Sequence, residues 1–158
     1  MKYLLATLLL LIFCNALQAQ FYIGFSRQKV KHETDSYMRS NHYKNYTVTD
    51  SAYITDVVLH DTLVQPVTFR YEFTPKGKCF GKVVSANCYE CIEKSLLFAL
   101  DQHKYEWVKL NDSTWISSLK HSLQMTLNKE VDGVSSLEIR QMIWSKSVYF
   151  DLLSTRLQ

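Results

Sequence analysis

Two cysteines three residues apart, Cys88-Tyr89-Glu90-Cys91, are the sharpest chemical signal in this 158-residue sequence. They follow a β-branched run and open an apolar stripe at helical spacing, so the pair sits where a strand hands over to a helix. The free amides and dipole of a helix N-terminus favour a thiolate there, which is how a C-x-x-C pair becomes redox-active. Thioredoxin-like proteins use this placement together with parallel βαβ connections and a cis-proline after the motif. Here both prolines, Pro66 and Pro75, precede it, and the residues beyond it alternate as antiparallel strands do. The plainer reading is a structural pair, Cys88 and Cys91 joined to each other in an oxidising compartment or both reduced. The alternative is a thiol-disulfide redox enzyme or chaperone that uses the same two residues.

Cys79 is set apart by distance. On a straight strand running to Ser85 it lies roughly 20 Å from the strand end, whereas a disulfide needs Cα atoms within about 7 Å. It is therefore expected to be unpaired and buried. The same separation breaks up a zinc set of Cys79, Cys88, Cys91 and His103. His103 also stands about three turns beyond Cys91 and continues the apolar stripe, as a partly buried core histidine would. His32, His42, His60 and His121 are scattered through polar segments, and acidic residues are dispersed. With four glycines there is no phosphate-cradling loop, and neither H-E-x-x-H nor G-x-S-x-G occurs. No catalytic residue, metal or cofactor is expected, and the chain leans away from being an enzyme. Asp50-Ser51-Ala52, Asp61-Thr62-Leu63 and Asp112-Ser113-Thr114 match the short Asp-Ser/Thr-apolar motif that some bacteria O-glycosylate on exported proteins.

The elements that position these residues begin after a leader. Lys2, the apolar run Tyr3–Phe13 and the small and polar residues up to Ala19 have the three-part form of a secretory signal. The run is shorter than the about 20 residues a membrane span needs. Cleavage is expected after Ala19, leaving residues 20–158 as one extracytoplasmic domain, periplasmic or secreted, with no transmembrane segment. Phe13 before Cys14 is not the small residue a lipid-modified cysteine requires, so Cys14 belongs to the leader. The full chain carries 18 Lys and Arg against 15 Asp and Glu. That balance, spread without a basic block, excludes a nucleic-acid binder.

Ser26 can cap a helix whose apolar positions are Val30, Thr34, Tyr37 and Met38. Residues 40–50 are polar and read as a loop. Strands follow at 53–59, at 67–73 and at 79–85, the latter two joined by the Thr74-Pro75-Lys76-Gly77 turn. Asn87 can cap a second helix with Cys88, Ile92, Leu96, Ala99 and Leu100 on its apolar side. A meander of four strands comes next, its last hairpin turning at Asp132-Gly133, and the tail from Ser145 is ambiguous between coil and a short helix. Tight turns force antiparallel pairing, and helices between such runs pack on one face. The expectation is an α+β two-layer sandwich: an antiparallel meander sheet of six to seven strands with two main helices on one face.

Ile23-Gly24-Phe25-Ser26-Arg27-Gln28-Lys29-Val30 resembles the G-x-S/T-x-x-x-V helix opening of small extracytoplasmic bacterial domains of the β-lactamase-inhibitor-protein-like fold, an opening shared by outer-membrane assembly lipoproteins. The resemblance covers those eight residues and a similar order of elements, and it implies a protein-binding role without catalysis. The Gly-x-Pro that usually follows that helix is absent here, as is a lipobox. A binding role directs attention to Leu97 and Phe98. Leu97 falls among Glu90, Glu93, Lys94 and Asp101 on the polar side of the second helix, and Phe98 lies beyond the other edge of its stripe. They are the candidate surface for another envelope or extracellular protein, unless the C-terminal segment covers Leu97.

Overall fold

Side-chain oxygens and a disulfide sulfur start the helices. The computed structural model describes residues 21–60, 66–131 and 133–155; the leader, Cys14, the cleavage point and the 61–63 glycosylation motif lie outside them. Helix α1 (Arg27–Ser40) begins where Ser26 Oγ accepts from the Lys29 amide, and it buries Val30, Thr34 and Met38 at four-residue intervals. Helix α2 (Tyr89–Leu100) is capped by Cys88, whose Sγ accepts from the Cys91 amide at 3.2 Å, and not by Asn87 as expected. Its buried side is Ile92, Leu96 and Ala99. The tail forms a third helix, α3 (Lys146–Ser154), capped by Ser145.

The strands are β1 (Tyr46–Asp50), β2 (Ile54–Leu59), β3 (Val67–Phe73), β4 (Cys79–Ala86), β5 (Val108–Asn111), β6 (Thr114–Ile116), β7 (Leu123–Val131) and β8 (Val134–Gln141). They form one antiparallel sheet in the order β1-β2-β3-β4-β8-β7-β6-β5. The fold is therefore α+β with an antiparallel sheet; the described residues form eight strands where about six to seven were expected, and a short third helix from the ambiguous tail beside the two main helices. Nor is it a single meander. Two four-stranded meanders meet along β4 and β8, and α2 carries the chain from the inner strand of the first to the outer edge of the second. Twelve residues of helix span about 18 Å, close to the four strand spacings of about 4.8 Å that separate β4 from β5.

The extra strand is β1, in the segment that read as loop. It pairs only with β2, at the sheet edge, so Thr47, Val48, Thr49 and Asp50 stay exposed and carry no two-residue hydrophobic rhythm.

Both long helices lie over the same face. Register places Val57, Phe69, Lys82, Val84, Leu137, Ile139, Met125 and Trp115 on that face through consecutive pairs. α1 packs with Tyr22, Val57, Leu59, Tyr71 and Phe73, and α2 packs with Val84, Met125, Leu127, Leu137 and Ile139. These are two cores side by side, and Phe69 borders both. The opposite face carries ion pairs in register, Arg70 with Asp56 at 2.8 Å and Arg140 with both Glu72 and Glu138.

A bulge decides what points inward from β4. Phe73 pairs with Cys79, yet Glu72 already pairs with Gly81, so one extra residue is accommodated at the start of the strand. The backbone freed there is satisfied by the N-terminal segment: the Cys79 amide donates to Phe25 O and the Gly24 amide to Cys79 O, both at 2.8 Å. Without the bulge Gly81 would face Tyr71 and Lys82 would face solvent. With it, Lys82 lies opposite Tyr71 on the covered face.

Candidate binding site

Two helices that each seal their own core leave a rift between them. Over β3, β4 and β8, between α1 and α2, lies a cavity of about 250 Å³. Its floor is Phe69, Tyr71, Lys82, Val84, Leu137 and Ile139; Thr34, Tyr37 and Met38 wall it from α1, and Lys94, Ser95 and Phe98 from α2. Phe21 and Tyr22 close one side from the N-terminal segment. That segment is held by its rings, Phe21 stacked on Tyr105 at 5.0 Å and Tyr22 against Tyr71 at 5.7 Å.

Lys82 is the unusual member. Its Nζ stands 5.8 Å from the Tyr22 ring centre, 5.7 Å from that of Phe69 and 5.9 Å from that of Tyr71. Aromatic faces attract the ammonium but offer no oxygen to its N–H groups. Burial lowers its pKa from the usual lysine value to about 8, slightly offset by the nearby Cys79. Among the described residues no carboxylate lies within ion-pair distance of Lys82, whereas Lys31, Arg70, Lys109 and Arg140 are all paired. The charged side chains bordering the cavity are Lys82 and Lys94, both cationic.

The phenols around it are held protonated. Burial, with smaller contributions from Glu33 and Tyr37, pushes Tyr22 up to about 12. Tyr71 is raised as well, chiefly by burial. Tyr37 is raised by burial and by Tyr43. Phenols in this state are hydrogen-bond donors and not bases. Among the described residues no aspartate, glutamate or histidine borders the cavity.

Of the two surface residues singled out from the sequence, Phe98 is half-buried and borders this cavity, while Leu97 stands 61% exposed on the outside of α2. Other large apolar side chains exposed outside the cavity include Val48, Tyr53 and Val134 and, near the C-terminus, Ile143, Val148 and Phe150.

Cys88 and Cys91 are bridged, with Cα atoms 5.3 Å apart, and pack against the core beneath α2. Cys79 is free and 1% exposed, its thiol donating to Gly81 O at 3.4 Å. Burial pushes that thiol up to about 11. Every strand pair is antiparallel, so the bridge does not sit in the βαβ setting of a thioredoxin-like site. His103 is not a core histidine. It lies in a short 3₁₀ turn, His103–Tyr105, with its side chain 92% exposed and 4.0 Å from Asp101. Among the described residues no group of three or more His, Cys, Asp or Glu side chains is placed to hold a metal ion. No helix there is long and apolar enough to cross a membrane.

No known protein family, curated protein or solved structure matches the chain.

Proposed function

We propose that this chain is an extracytoplasmic, non-catalytic binding domain whose ligand enters the cavity between α1, α2 and the sheet. The observation that carries the reading is the cavity itself: about 250 Å³, lined mostly by aromatic and aliphatic side chains, in the layer where a closed core would be solid. A cavity of ~150 Å³ holds a benzene ring, so this one takes a ligand of about ten non-hydrogen atoms. The leader supports an address outside the cytoplasm, and the helix opening at Gly24 and Ser26 is similar to that of extracytoplasmic binding domains. The Cys88–Cys91 bridge then has a structural role, fixing the first turn of the helix that walls the cavity.

Thermal unfolding with and without octan-1-ol tests this. A ligand that binds only the folded chain stabilises it by about 2.7 kcal/mol at a hundred times its dissociation constant. The wild-type melting temperature is expected to rise with octan-1-ol, and that of Ser95→Phe, whose ring fills the cavity from α2, to stay flat. An equal response of the two proteins would remove the cavity from the account.

A further inference from the structure

Resting on the cavity reading, we infer that the ligand is a small amphipathic anion, an apolar or aromatic body ending in one carboxylate, and that Lys82 is the residue that recognises it. Three observations converge. The floor of the cavity presents an ammonium that lies 5.7–5.9 Å from three ring centres and has no side-chain hydrogen bond or ion pair among the described residues. The second charge on the cavity wall, Lys94, has the same sign, and among the described residues no acidic side chain borders the space. Phe69, Val84, Phe98, Leu137 and Ile139 give the space an apolar body, and the neutral polar groups beside them are the hydroxyls of Thr34, Ser95 and the three tyrosines. An apolar ligand would leave the ammonium without an acceptor, and a cation would meet two like charges. A carboxylate seated beside Lys82 gains a charge-assisted hydrogen bond in a site where the ring faces keep the local polarity low.

The β4 bulge makes this placement specific, because it is what turns Lys82 and not Gly81 toward Tyr71. The groups that face the ammonium are Tyr22 from the N-terminal segment, Tyr37 from α1, Tyr71 from β3, Cys79 from its own strand and Lys94 from α2; β8 contributes Leu137 and Ile139. Lys82 is the group brought to about 8, while burial holds the three tyrosines and Cys79 protonated above that. Docking a carboxylate must therefore pull a proton onto Lys82 when binding is carried out just above pH 8.

The test titrates octanoate, octan-1-ol and octylamine, ligands of one length and three head groups, into the purified wild-type, Lys82→Met and Lys94→Gln proteins at about pH 7. Octanoate is expected to bind wild type at least tenfold more tightly than octan-1-ol, and octylamine more weakly than either. Lys82→Met should bring octanoate down to or below octan-1-ol while leaving octan-1-ol within about threefold of wild type, which also shows that the variant is folded. Lys94→Gln should keep most of the preference. At about pH 8.5, calorimetry in two buffers of different ionisation enthalpy should show wild-type octanoate binding taking up a large fraction of a proton, and octan-1-ol none. Equal affinity for octanoate and octan-1-ol in wild type, or a preference that survives Lys82→Met, overturns the anion inference and leaves the cavity reading standing. Failure of all three ligands to bind overturns both.

Discussion

Tyr71 and Lys82 face each other as a directly paired couple on β3 and β4, and the lysine ammonium lies 5.9 Å from the tyrosine ring centre. A half-buried lysine ringed by aromatic side chains costs stability, because partial loss of water disfavours its charged form. The folded chain keeps it through three aromatic faces and a cavity, not through a carboxylate.

That cost has a pH signature. Lys82 is lowered to about 8 in the folded chain, so the unfolded chain, with an ordinary lysine near 10.4, holds the proton more tightly. The penalty is fully present below about pH 8 and is relieved as pH rises from there toward 10.4. Lys82→Met is expected to melt several degrees above wild type at pH 7, with the gap narrowing toward pH 10. Cys79, raised to about 11, and Tyr22, raised to about 12, withdraw stability over the alkaline range in both proteins; Tyr22 cancels in the difference, and Cys79, which Lys82 itself lowers, cancels only in part. A gap that does not change with pH would mean that Lys82 titrates normally.

The thiols make a second prediction. Protein freed of residues 1–19, and so of Cys14, should present no fast-reacting thiol, since Cys79 is buried and held protonated and Cys88 and Cys91 are bridged. One thiol per chain should appear on unfolding without reductant. Closing so short a loop stabilises by at most about 2 kcal/mol on the chain-entropy account. Cys88→Ser keeps an oxygen able to cap α2, so the Cys88→Ser, Cys91→Ala double variant should stay folded and lose no more than that. Peptide mapping that finds Cys79 bridged would contradict the strand geometry.

At Leu97 and Phe98 the two neighbours should part. Leu97→Ser is expected to change stability by under about 0.5 kcal/mol, because the side chain is mostly exposed. Phe98→Ala should leave octan-1-ol binding at least severalfold weaker, because it removes part of the cavity wall. If Leu97→Ser were the variant that lost binding, the functional surface would lie on the outside of α2.

The bulge can be probed at Gly81, where an added Cβ would stand 2.7 Å from Glu72 Oε2. That carboxylate pairs with Arg140, so Gly81→Ala must push it aside and should cost about 1 kcal/mol. In a Glu72→Ala background the same change should cost much less, because the crowded atoms are gone. Equal costs in urea melts of the two backgrounds would show that the backbone, and not Glu72, resists the side chain.

The hairpin of β3 and β4 was legible because Val67, Phe69, Tyr71 and Phe73 alternate with polar residues and a Pro-Gly turn follows. Both helices and the odd position of Cys79 were legible for similarly local reasons. β1 was not, because an edge strand wet on both sides has no hydrophobic rhythm to read. The site was hidden by register. Lys82 precedes two adjacent valines, Val83 and Val84, so the sequence does not say which of its neighbours points inward; the bulge decides that, and it depends on backbone bonds to Gly24 and Phe25 far away in the chain. The signal present was a lysine two residues before Val84 and four before Ala86, sharing their face. The rift between the helices has no local signature, since it follows from where two separately sealed cores come to lie.

N-terminal sequencing of exported protein checks the address. The first residue is expected at or near Gln20. Cell-associated protein that retains residues 1–19 would remove the extracytoplasmic part of the proposal.

The most direct test of a ligand site between α1 and α2 is a methyl-resolved NMR titration of the purified chain with octanoate. A ligand site there predicts saturable shifts at Met38, Val84, Leu137 and Ile139, which border the cavity from α1 and the sheet floor, with Ile116 and the exposed Val48 and Ile143 unmoved. It predicts the loss of those shifts in Ser95→Phe. Shifts centred on Ile143 or Leu97, or cavity methyls that stay silent at saturating octanoate, would contradict it.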